Sequence, residues 1–89
     1  MAGRLSVVLR NQFEVAKRVA VSQLALAMVG ELRGHVELAI TIVRRQRQLV
    51  ENTEPSWNLQ RALLEDELDE LQRLRAQVDL FIDGTSPLT

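Results

Sequence analysis

The stretch Met28–Val36 reads "MVGELRGHV" and sets two glycines, Gly30 and Gly34, inside an otherwise strongly helix-forming run. Either the chain turns there and the first half makes two short helices, or one helix passes through. Counting outward from the stretch favours the second. In steps of seven, one series collects Val8, Val15, Ser22, Val29, Val36, Val43 and Val50. A second collects Leu5, Gln12, Val19, Leu26, Arg33, Ile40 and Arg47. The two interleave at spacings of three and four, the seam of an amphipathic helix. Their register passes through "GELRG" without a slip, and that segment has no Pro, Asn or Asp to shape a turn. An interior glycine costs about 1 kcal/mol relative to alanine, which packing can offset. The spacing therefore predicts one helix over about residues 5–50, roughly 70 Å long at 1.5 Å per residue. The alternative is a three-helix bundle broken at Gly30–Gly34.

The next boundary is better marked. "ENTEPS" at Glu51–Ser56 supplies Thr53 as a helix cap, Glu54 for the positive helix end and Pro55 for a first turn. A turn over 51–55 and a second helix over about 56–83 follow. Trp57, Leu64, Leu71 and Val78 share one stripe of that helix, and Leu68, Arg75 and Ile82 the adjoining one, widened by Leu74 and Phe81. Gly84 reads as its C-cap, with 84–89 as a flexible tail. The expectation is thus an all-α single domain over 1–89, a long helical hairpin. Trp57 is expected to plug its open end.

The arms of that hairpin are unequal. Leu5–Gln23 would overhang, yet that segment carries Leu5, Val8, Phe13, Val15 and Val19, and an apolar stripe of that length needs cover. A chain of 89 residues without cysteine also has a marginal core and no disulfide to staple it. A four-helix-bundle dimer, or docking on another helical protein, answers both. The expected interaction surface is Leu5, Val8, Phe13, Val15, Val19, Ala20, Ala27, Gly30 and Gly34. The small residues among them would admit a close backbone, by analogy with small-xxx-small packing.

The net charge of −1 conceals a division. Met1–Val50 holds eight basic and three acidic residues, a balance of +5, and Glu51–Thr89 three basic and nine acidic, a balance of −6. Arg44, Arg45 and Arg47, with Glu65, Asp66, Glu67, Asp69 and Glu70, are the candidate docking charges, and the basic half is expected to cover the acidic one. That pairing counts against nucleic acid, whose binders show a broad basic field and a reading element.

No cofactor, metal or small-molecule site is evident. His35 stands alone, and metal sites need several donors. Val19–Gly30, the longest uncharged run at twelve residues, falls short of the ~20 a membrane span requires. Its Ala25–Ala27 triplet and preceding basic residues have the look of a targeting segment, but Glu14 and the continuing seam speak for a structural helix. A cytoplasmic, non-enzymatic interaction module (adaptor, chaperone or regulator) is the expected function. The alternatives are a nucleic-acid-binding regulator using Arg44–Arg47 and a small bundle enzyme. For the latter, the seam residues Arg33, Arg47 and Arg75 could hold a carboxylate, an architecture similar to the small all-helical chorismate mutases.

Overall fold

Val29, Val36 and Val43, the seam that runs through the glycines, are buried together with Ala25, Leu32, Ala39 and Ile40. They lie on one helix of thirty residues in a computed structural model that describes residues 4–19, 22–51 and 58–85. Three helices are present among the described residues: α1, Leu5–Lys17; α2, Ser22–Glu51; and α3, Asn58–Thr85. Leu68, Leu71, Leu74 and Val78 of α3 face the α2 seam, with Leu64, Phe81 and Ile82 packed beside them. Leu9, Phe13 and Ala16 of α1 complete the same core. Cross-helix contacts fix the directions. Arg33 meets Asp79 and Glu37 meets Arg75, so α2 and α3 are antiparallel. Ser6 meets Glu67 and Phe13 meets Phe81, so α1 runs parallel to α3. The result is an up-down-up bundle, all-α among the described residues apart from the flanking Arg4, Arg18 and Val19.

The glycines are helical, as their register implies, and the break at Gly30–Gly34 does not occur. Neither has a positive φ, and a Cβ added to either meets nothing within 4 Å. Within the chain they are neither hinges nor points of close approach.

The single helix over 5–50 is overturned further upstream. α1 stops at Lys17, and its end tightens through Arg18 N–H to Val15 O and Val19 N–H to Ala16 O, both at 3.1 Å. The reason lies on the other face of α1. At 100° per residue, Leu9, Phe13 and Ala16 would sit roughly half a turn away from Val29, Val36 and Val43 on a continuous helix. No single straight helix can bury both sets against α3. Breaking the helix exposes a few backbone groups that water can satisfy. Burying Leu9 and Phe13 is worth about 1.5–3 kcal/mol each, and burial wins. The expected overhang of Leu5–Gln23 is consequently absent over the described part, because α1 folds back onto the hairpin.

Two smaller expectations also change. Gly84 is not a left-handed cap but part of the last turn of α3, which continues to Thr85. The tail over 84–89 therefore loses at least its first two residues to the helix. The turn residues Thr53, Glu54 and Pro55, and Trp57, lie outside the described residues.

Candidate docking surface

The surface starts with how α1 is held. Arg4 precedes the helix with φ −67° and ψ 148° and makes no side-chain cap hydrogen bond, and the first turn carries no acid. Its leading N–H groups would lack partners and its positive end an anion. Glu67 of α3 supplies both from across the bundle. Its carboxylate accepts from the Ser6 N–H at 3.5 Å and from the Ser6 hydroxyl, and the pair is buried. Arg4 closes the cluster, with Nε 3.4 Å from Glu67 and Nη2 2.9 Å from Asp66. Desolvation works against the Arg4 cation, but its hydrogen bond to Asp66 and the nearby acidic charges outweigh this and raise its pKa further. Arg10 adds a hydrogen bond to Gln77 at 3.2 Å and an ion pair with Glu70 at 3.7 Å. At the other end Phe13 meets Phe81 edge to face, 5.8 Å between centroids, under the Lys17 ammonium. A hydrogen bond from Lys17 holds the Glu14 carboxyl below its usual range.

So fastened, α1 forms a groove with α2 on the side turned away from α3. Val8, Val15, Ala16, Met28 and Leu32 give it apolar walls, and Asn11, Gln12, Glu31 and His35 lie along its middle. Its volume is about 510 Å³. Around it the surface stays aliphatic: Leu24 and Leu38 of α2 are 52% and 59% exposed, and Ile42 is exposed too. A second, smaller groove of about 340 Å³ opens where α1 begins, between Leu5, Val43, Leu63 and Leu64.

Against this geometry the expected surface residues divide. Leu5, Val8 and Val15 are exposed and line the grooves. Phe13 is not available: it is 2% exposed and belongs to the chain's own core. Val19 is half-buried, Ala27, Gly30 and Gly34 are exposed, and Ala20 lies outside the described residues. Leu24, Leu38 and Ile42 were not anticipated, although their spacing along α2 was available as a signal.

The docking charges divide as well. Asp66, Glu67 and Glu70 bind α1. The pairing of basic and acidic halves thus runs through Arg4, Arg10 and Arg33. The Arg44–Arg47 cluster does not reach α3 among the described residues: Arg47 approaches Glu51 of its own helix at 3.9 Å, and Arg44 and Arg45 make no ion pair. Antiparallel packing explains this, since it sets that end of α2 beside Gln60 and Leu63 of α3, before the acidic run. Glu65 and Asp69 are likewise exposed without an ion pair among the described residues. Arg33 and Arg75 flank the seam in ion pairs with Asp79 and Glu37 instead of lining its interior.

Among the described residues no group of His, Asp and Glu could hold a metal ion, and no helix is long and apolar enough to cross a membrane. No protein-family model, curated protein or solved structure matches the chain.

Proposed function

We propose that this protein acts by binding, as a small non-enzymatic module whose α1–α2 face receives an α-helix, from another copy or from a helical partner protein. The observation that carries the reading is the run of exposed aliphatics on that face, Val8 and Val15 of α1 with Leu24 and Leu38 of α2, beside a groove that half-buried Met28 lines. Scattered exposed leucines need no explanation, but a groove with apolar walls on a helical surface is the usual seat of an amphipathic helix. A cytoplasmic adaptor, chaperone or regulator would use such a face. Val15, 58% exposed, tests it without touching the core. Val15→Asp should leave the circular dichroism melt nearly unchanged and weaken association, with itself or a captured helical partner, by roughly tenfold or more. Unaltered association would set the reading aside.

Arg44 and Arg45 favour a second reading, contact with nucleic-acid phosphates, because neither is committed to an ion pair among the described residues. Each phosphate contact contributes about −0.9 to the slope of log K against log salt, so two would give a shallow slope near −2. Duplex binding with that slope, abolished by Arg44→Gln with Arg45→Gln, would move the function to this class.

A further inference from the structure

α2 carries a second seam that the described chain leaves exposed apart from Met28, which is half-buried against the core. Leu24, Met28, Glu31, His35, Leu38 and Ile42 follow one another at spacings of four, three, four, three and four, on the side that looks over the groove. This is the same pattern as the buried seam, displaced around the helix. It also reads alike in both directions about residue 33: aliphatic, aliphatic, polar, polar, aliphatic, aliphatic. α1 repeats the symmetry beside it, with Val8 and Val15 on either side of Asn11 and Gln12 in the groove.

We propose that a second copy of this chain closes this face, its α2 lying antiparallel to the first about a two-fold axis at residue 33; this deepens the helix-docking reading and rests on it. A two-fold interface needs a patch complementary to itself. Here the antiparallel register sets Leu24 against Ile42, Met28 against Leu38 and Glu31 against His35 of the partner subunit, each layer occurring twice. Glu31 and His35 make no hydrogen bond or ion pair among the described residues, so a carboxylate and an imidazole donor are free to meet. A polar layer at the centre of an apolar seam fixes register and orientation, a role such layers play in coiled coils. The second α2 nests between α1 and α2 and touches Val8 and Val15, so the dimer is a four-helix core with α3 outside.

Sedimentation equilibrium on the full chain tests the register. The wild-type chain should be dimeric at roughly 100 μM, a modest affinity. His35→Glu, which opposes carboxylates in both central layers, should weaken the dimer about tenfold or more. Combining it with Glu31→His exchanges the partners and should restore the dimer, while the circular dichroism melt of all three proteins stays the same. A monomeric wild-type chain overturns the second copy as occupant. So does a dimer that Val15→Asp dissolves but the exchange fails to rescue, and that outcome leaves the helix-docking reading standing.

Discussion

The bundle has two ends built from the same α2–α3 hairpin, and they fare differently. At the end α1 covers, Val29, Leu74 and Val78 are wholly buried and Phe13 locks onto Phe81. At the other end Leu59 and Leu63 are 72% and 56% exposed. Aliphatic patterning does not distinguish them. Reach does: α1 has thirteen residues, about 20 Å, against thirty residues and about 45 Å for α2. A stripe of leucine becomes core only where a third helix arrives, so the short helix decides where this protein is a bundle and where it is only a hairpin.

The largest test of this contrast is Phe13→Ala. Emptying a fully buried aromatic site costs about 3–5 kcal/mol, a large share of the stability of a domain this small. Thermal melts should drop steeply, and hydrogen exchange should show the amides of α1 losing protection first. Leu63→Gln, at the uncovered end, should change stability by no more than about 0.5 kcal/mol. Similar losses from both would mean that the two ends form one core after all.

Glu67→Ala comes next. It leaves the Ser6 N–H and hydroxyl without their acceptor and the start of α1 without its anion, which should cost about 1.5–3 kcal/mol by denaturant titration. Glu65→Ala, two residues away and exposed, is the control and should be near neutral. If the two variants unfold alike, α1 is held by its apolar face alone.

The smallest effect has the opposite sign. Gly34→Ala places a methyl group in open space on a helix and should stabilise the chain by about 0.4–1 kcal/mol, seen as a higher denaturation midpoint. A loss instead would show that the glycine face is occupied, as the small-residue reading of the sequence expects.

The α2 and α3 seams were legible in the sequence because each is decided locally: Val29, Val36 and Val43 share one stripe, as do Leu64, Leu71 and Val78. The end of α1 was not legible. Arg18–Val21 holds no glycine or proline, and Val8 and Val15 continue the α2 register well enough to hide the break. Only the pull of Phe81 and its neighbours on Leu9, Phe13 and Ala16 tips the balance, and that is tertiary. The role of Glu67 was hidden for a similar reason. In "EDELDE" it looks like one acid of a solvated face, and its partner lies 61 residues away. The exposed Leu24 and Leu38 had a visible signal, a second spacing of three and four, masked by the stronger one beside it.

The cap that α3 places on α1 also sets an order of events. α2 and α3 are neighbours along the chain, and their contacts close a short loop. The contact between Ser6 and Glu67 closes one of 61 residues and carries a larger loop entropy. On a ribosome α1 emerges first, yet the carboxylate that seals its leading turn is synthesised 61 residues later. Thirteen residues are too few to hold a helix alone in water. Of the three helices, the one made earliest is therefore the last to settle, and until it does Leu9 and Phe13, together with the hairpin surface they will cover, stay open to whatever else is near.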